Sequence, residues 1–253
     1  MRPHTPVALT VAGSDSGGEA GIQADLKTFA ALKVHGASAI TCVTAQNRKT
    51  VARLEPCSPA MVRAQLESVA AEFPLAAAKT GMLYSAAIVR QVAAFFRQAR
   101  RVPLVVDPVI ISTSGRRRLQ REGVKALQRE LLPLAALATP NVAEAEVLIG
   151  EKIATIEDLR AAARRIRQLF GCAALVKGGH LPGTNAAVDF LCSDNGEWLL
   201  SAPRVRGLGL HGTGCTYSAA IAAWLARGRS LDKSVELAKN HITRVIYKTV
   251  SGS

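Results

Sequence analysis

The stretch Val7 to Thr44, VALTVAGSDSGGEAGIQADLKTFAALKVHGASAITCVT, holds one complete unit of strand, glycine-rich turn, helix and strand. Val7 to Ala12 is a short apolar run with β-branched residues, the pattern of a buried strand. Gly21 to Lys33 carries its apolar residues at helical spacing, and Ala37 to Thr44 reads as the next strand. Strands joined through a helix pair in parallel, so this unit predicts a layered α/β fold with a mainly parallel sheet.

Working outward, the alternation continues to the end of the chain. Ser58 is an N-cap with Pro59 at the first helical position of a helix to about Glu72. Ala76 to Lys79 is a strand end, Ser85 caps a helix to Gln98, and Pro103 to Val106 is a buried strand stopped by Asp107-Pro108. Helical patterns follow over Glu122 to Leu131, Val142 to Leu148 and Thr155 to Leu169, the last with Thr155 and Asp158 as a capping pair. Leu137 to Thr139 and Ala173 to Val176 are strands between them. Ala186 to Cys192 and Glu197 to Ala202 flank Asp194-Asn195-Gly196, a hairpin signal. Helices from near Gly214 to Ala226 and from near Ser230 to about Lys248 close the chain. No repeat or linker divides it, so residues 1–253 are expected to form a single domain.

Composition narrows the class. With 49% apolar and 20% charged residues the chain is globular, and its longest apolar stretch, around Ser218 to Ala226, falls short of a bilayer span. The start lacks a signal peptide's layout, so a cytoplasmic location with no membrane partner is expected. Five cysteines without Cys-x-x-Cys or Cys/His spacing indicate neither a disulfide framework nor a zinc site. The net charge of +13 raises nucleic acid as a partner. However, the cluster Arg116, Arg117, Arg118 and Arg121, and the solvated face with Arg164, Arg165 and Arg167, come without an aromatic platform or a recognition helix. No nucleic-acid partner is expected; the charge serves solubility and draws anionic substrates.

Ligands of such sheets collect at the carboxyl ends of the strands. Two glycine-rich segments fall there: Gly13-Ser14-Asp15-Ser16-Gly17-Gly18-Glu19-Ala20-Gly21, and His211-Gly212-Thr213-Gly214-Cys215-Thr216 before a small-residue helix. The second would turn consecutive backbone N–H groups toward one spot at a helix N-terminus, which makes either an anion hole or simply a tight connection. The dinucleotide-like spacing of Gly207 to Gly212 with Asp232 lacks the required βαβ context, and no Gly-x4-Gly-Lys-Ser/Thr loop occurs.

Several motifs then resemble, in order and spacing, those of the phosphomethylpyrimidine kinases of the ribokinase-like superfamily. They are Ala12-Gly13-Ser14-Asp15, Ala20 to Thr28, Thr44-Ala45-Gln46-Asn47, Lys79-Thr80-Gly81-Met82-Leu83, Val106-Asp107-Pro108-Val109, Thr139-Pro140-Asn141 with Glu144-Ala145, Lys177-Gly178-Gly179-His180, and His211 to Thr216. The resemblance covers nearly the whole chain. It implies a three-layer α/β/α sandwich, ATP and Mg²⁺ as cofactors, a pyrimidine bearing a hydroxymethyl group as acceptor, phosphorylation of that alcohol and of its monophosphate in thiamine biosynthesis, and a homodimer.

Carried over by position, Gly13, Asp25, Gln46, Met82 and Val109 would line the pyrimidine pocket. Asp25 and Gln46 suit a ring amine and nitrogen, while Met82 and Val109 suit a flat apolar face. Taken alone, Met82 and Val109 equally suit a core, Asp25 a helix's first turn, and Gln46 a turn. Asn141, Asp107 and Lys177 would serve the nucleotide, with Glu144 and Asp107 acting on Mg²⁺. Alternatively, Glu144 is a helix-dipole acid and Asp107 a turn residue before proline. Gly212, Thr213, Gly214 and Cys215 would be catalytic, through backbone N–H groups that neutralise charge in phosphoryl transfer. A thiol at a helix N-terminus can have a lowered pKa, so Cys215 acts either as thiolate base or as a pocket liner.

The chain departs from the pattern at Glu19, which stands where the family has a small residue, and at Gly207 to Leu210, which replace more polar residues. Two rival readings follow: a pyridoxal kinase of the same superfamily, and a non-catalytic regulator that kept the fold.

Overall fold

A computed structural model describes residues 5–47, 50–111, 119–179, 181, 185–205 and 212–251. The basic run Arg116 to Arg118, the altered segment Gly207 to Leu210, His180 and His211 lie outside the described residues. The strands are β1 (Val7–Asp15), β2 (His35–Gln46), β3 (Val51–Pro56), β4 (Leu75–Thr80), β5 (Leu104–Val106), β6 (Leu137–Ala138), β7 (Ala173–Gly178), β8 (Ala186–Ser193) and β9 (Gly196–Pro203). The helices are α1 (Gly21–Ala31), α2 (Pro59–Glu72), α3 (Ala86–Gln98), α4 (Arg121–Ala126), α5 (Val142–Ile149), α6 (Ile156–Phe170), α7 (Thr213–Ala226) and α8 (Leu231–Ser251).

The strands make one sheet in the order β3-β2-β1-β4-β5-β6-β7-β8-β9. From β2 through β7 the pairing is parallel; β3 at one edge and β8 and β9 at the other are antiparallel. Alternate residues of each inner strand feed two cores, because successive side chains point to opposite faces. Leu9, Val11, Leu104 and Val106 pack with α2, α3, α4, α5 and α6. Ala8 and Val105 pack with α1, α7 and α8. Both faces are covered, as parallel strands require, and the three-layer expectation holds. Among the described residues no helix is long and apolar enough to cross a membrane.

Local chemistry sets the helix starts as expected. The Ser58 hydroxyl accepts from Met61 N–H and that of Ser85 from Ile88 N–H, and Thr155 and Asp158 form a reciprocal capping box. Two elements differ from the sequence reading. The edge strand β3 goes unpredicted, because Arg53 and Glu55 interrupt its apolar pattern and most of it faces solvent. The helix expected to Leu131 is α-helical only to Ala126, then widens to a π turn at Leu127–Leu131 and tightens to a 3₁₀ turn at Leu132–Leu134. There Pro133 has no N–H for the helical ladder. Asp232 caps nothing that resembles a ribose site: it accepts from Ser193 Oγ at 2.8 Å and Asn195 Nδ2 at 2.7 Å, clasping the β8–β9 hairpin to α8.

Candidate active site

The carboxyl ends of β1, β2, β4, β5 and β7 and the N-terminus of α7 converge on a cleft of about 900 Å³, counting the space open at its mouth. Its lining combines neutral residues, Gly13, Gln46, Met82 and Val109, with a more polar and charged group, Asp107, Asn141, Glu144, Lys177 and Gly212 to Cys215. Of the residues singled out from sequence, Asp25 is not among the lining. Ser14, Thr44 and Gly81, not singled out, are.

The first group is mostly neutral. A Cβ built on Gly13 would lie 2.8 Å from Cys42 Sγ and 2.9 Å from Met82 Cε, so a side chain there would force both neighbours to shift. The adjoining loop is folded by Asp15, whose Oδ1 accepts from Gly17 N–H at 2.9 Å and whose Oδ2 accepts from the N–H groups of Glu19 at 3.2 Å and Ala20 at 2.9 Å. Those amides are therefore engaged inside the loop and are not presented to an anion. The Ser16 hydroxyl accepts from Gln46 N–H and donates to Gln46 O, at 2.8 and 2.9 Å, which pins the end of β2 to the same loop.

Asp25 is fully buried. Both of its oxygens accept from Lys79 Nζ, at 2.9 and 2.8 Å, and Oδ2 also accepts from Thr10 Oγ1 at 2.6 Å. Lys79 and Asp25 side chains are 0% exposed. Burial, the largest single influence, disfavours the Lys79 ammonium, but the Asp25 charge and hydrogen bond together with Cys215 and Asp107 outweigh it and hold the pKa above the usual lysine range. The role in ligand contact implied for Asp25 is thus replaced by a closed ion pair, because both carboxylate oxygens already face Lys79. A lysine inside the alanine-rich strand Leu75–Thr80 was the available sign of that partner.

The second group is charged. Asp107 Oδ1 accepts from Lys177 Nζ at 3.0 Å and Thr139 Oγ1 at 3.2 Å, and Oδ2 from Ser218 Oγ at 3.1 Å. Burial opposes the charge on Lys177, yet Asp107 and then Glu144 hold its pKa up. Asn141 and Glu144 make a capping box at the start of α5: Asn141 Oδ1 accepts from Glu144 N–H and Glu144 Oε2 from Asn141 N–H, each at 3.0 Å. Burial pushes the Glu144 carboxyl up to about 8, Lys177 opposes, and the Asp107 charge adds to the rise. Among the described residues no three His, Cys, Asp or Glu side chains gather as a ready-made cation cage. Two adjacent carboxylates of this kind fit Mg²⁺, which takes few protein ligands and completes its shell with phosphate and water.

Gly212 opens α7 in a left-handed conformation, φ 80°, with no side chain capping the helix. A Cβ there would lie 1.8 Å from the carbonyl oxygen of Glu19, so this turn can close on the first glycine loop only as glycine. The first N–H groups of a helix lack intrahelical acceptors, and Gly212 to Cys215 face the cleft. A Cβ on Gly214 would stand 3.4 Å from Lys177 Nζ, which places the ammonium beside that positive helix end.

The lowered pKa expected for Cys215 is not what the surroundings give. Burial pushes the thiol up, Lys79 pulls down, and Asp25 and Asp107 push up again. The sequence exposed the helix N-terminus at Cys215 but not the desolvation around it.

The comparisons agree with this geometry. The family model for phosphomethylpyrimidine kinase matches residues 15–252. A hydroxymethylpyrimidine/phosphomethylpyrimidine kinase of Synechococcus elongatus is 44% identical over 97% of this chain and 93% of its own length. The thiamine biosynthesis bifunctional protein of Geobacter sulfurreducens is also 44% identical over 94% of the chain, which spans 48% of that longer protein. Among solved structures, a phosphomethylpyrimidine kinase from Clostridium difficile superposes with a TM-score of 0.85 at 40% identity, covering 96% of this chain and 100% of that one. An ADP complex of Bacillus subtilis pyridoxal kinase gives 0.87 at 35% identity, covering 94% and 90%. The family match over residues 15–252, the identity to these relatives and the shared sheet with its cleft at the strand ends place the chain in the phosphomethylpyrimidine kinase family of the ribokinase-like fold.

Proposed function

We propose that this kinase transfers the γ-phosphoryl group of ATP to the hydroxymethyl group of 4-amino-5-hydroxymethyl-2-methylpyrimidine, and then to the resulting monophosphate, in the making of thiamine. The observation that carries the reading is that one cleft gathers the neutral residues Gly13, Gln46, Met82 and Val109 with the charged Asp107, Glu144 and Lys177, and has the open start of α7 among its lining. The neutral group suits a planar heteroaromatic ring. The charged group suits a triphosphate, with Lys177 and the amides of Gly212 to Cys215 neutralising the transferred group.

Phosphoryl transfer demands in-line placement and charge neutralisation more than a strong base. Cys215 fits that requirement as a neutral thiol in the cleft lining, since burial keeps it protonated. Lys177 holds Asp107, and Ser218 and Thr139 hold it from the other sides, so the carboxylate is oriented before nucleotide arrives. When bound, Mg²⁺ would be held by Asp107 and Glu144 with Asn141 beside them, and would offset phosphate charge. The chain is read as one catalytic domain acting as a cytoplasmic homodimer, which sedimentation of the purified protein tests.

A coupled assay with Mg-ATP on the pyrimidine alcohol, its monophosphate and pyridoxine tests the substrate. Turnover of both pyrimidines above pyridoxine is expected; pyridoxine turnover without pyrimidine turnover would establish the pyridoxal kinase reading, which the structural likeness to the Bacillus subtilis enzyme keeps in view.

A further inference from the structure

We propose that Ser14 is a specificity-determining hydrogen-bond donor to the ring of the acceptor, and that Gln23 is the positioning residue that fixes its polarity. This deepens the substrate reading above and rests on it. The chain of reasoning starts from a backbone group whose role is unambiguous. The N–H of Asp15 can only donate, and it does so to the Gln23 side chain at 2.8 Å, so the atom facing it is the amide oxygen Oε1. The other end of the same amide is therefore the NH₂ group, and it lies 2.7 Å from Ser14 Oγ.

An amide nitrogen cannot accept, so Ser14 Oγ receives that hydrogen and must send its own proton elsewhere. Among the described residues no protein acceptor takes it. Ser14 lines the cleft, and the neighbouring hydroxyl of Thr44 spends its proton on Ser14 O at 3.0 Å. The Ser14 hydroxyl is thus a donor offered to the ligand. A 4-aminopyrimidine carries two ring nitrogens; an amide side chain such as Gln46 can serve one of them with the adjacent amine, and the other needs a separate donor. Ser14 supplies it, selecting a ring nitrogen with its lone pair free over a protonated one.

Calorimetric titration of 4-amino-5-hydroxymethyl-2-methylpyrimidine into four folded proteins tests this: wild type, Ser14→Ala, Gln23→Glu and the double variant. Ser14→Ala is expected to weaken binding about tenfold. In Gln23→Glu one carboxylate oxygen keeps the Asp15 N–H while the other captures the Ser14 proton, turning the hydroxyl into an acceptor that faces an acceptor; a loss at least as large is expected. In the double variant the Gln23→Glu effect should vanish, leaving the affinity of Ser14→Ala. Equal penalties from Gln23→Glu in both backgrounds, or unchanged affinity of Ser14→Ala, would overturn the proposal. If the wild-type chain binds pyridoxine and not the pyrimidine, the substrate reading fails by itself, and the same cycle titrated with pyridoxine decides the role of Ser14.

Discussion

Two lysine–aspartate pairs stand on neighbouring parts of one sheet and differ in what surrounds them. Lys79 and Asp25 are sealed, each 0% exposed, with both aspartate oxygens on one ammonium. Lys177 keeps 14% exposure and touches one oxygen of Asp107 at 3.0 Å, which Thr139 also reaches, and leaves the other oxygen to Ser218. The closed pair has no vacancy for a ligand and binds β4 to α1. The open pair can trade its contact for phosphate. The same two residue types thus close a core in one place and line a cleft in the other, and access to the cleft separates them.

The largest effect should come from breaking the closed pair. Lys79→Met leaves an unpartnered carboxylate in a dry site and is expected to cost about 3–5 kcal/mol in denaturant unfolding. Replacing both members, as Lys79→Met with Asp25→Leu, should recover most of that loss. A single variant as stable as wild type would show that the pair is not closed in solution.

Next in size is the open pair. Lys177→Met should lower kcat/KM for ATP about a hundredfold, while unfolding free energy drops by only about 1–2 kcal/mol because Asp107 keeps two hydroxyl donors. Steady-state kinetics with denaturant titration of the same sample separate the two quantities. A stability loss as large as that of Lys79→Met with little kinetic change would erase the distinction.

Cys215 feels both pairs, and its variant should be the mildest. Cys215→Ser is expected to lower kcat less than about tenfold, since a true general base would be worth at least about a hundredfold. The sign of its pH dependence follows from burial. A thiol whose folded pKa is raised keeps its contribution below the unfolded value, about 8.5, and loses it as pH climbs through the folded one. Thermal melts from pH 7 to 10.5 should therefore show wild type losing stability relative to Cys215→Ser only at the alkaline end. A relative gain as pH rises from neutrality toward about 8.5 would instead mean a thiolate in the folded protein.

The same contrast explains what the sequence could disclose. Caps at Ser58, Ser85 and Thr155 were legible because each depends on residues within one turn. The order of the motifs gave the family, and the glycine turn before α7 was legible as a bend facing the strand ends. Asp25 was not, since its partner Lys79 lies 54 residues away and only packing brings them together. Glu144 was visible as an acid at a helix start, yet its rise to about 8 comes chiefly from burial, with the Asp107 charge adding, and neither can be read from its neighbours in sequence. Edge strand β3 escaped because a strand with two wet faces carries no hydrophobic alternation to read.

The close approach of Gly212 to the Glu19 carbonyl has a bearing on biogenesis. The two segments that meet there lie 193 residues apart, so their junction can close only after Gly212 has been made. All nine described strands precede α7 in the chain, so the sheet and the backbone floor at Gly13 can be laid down before the Gly212 turn closes against them.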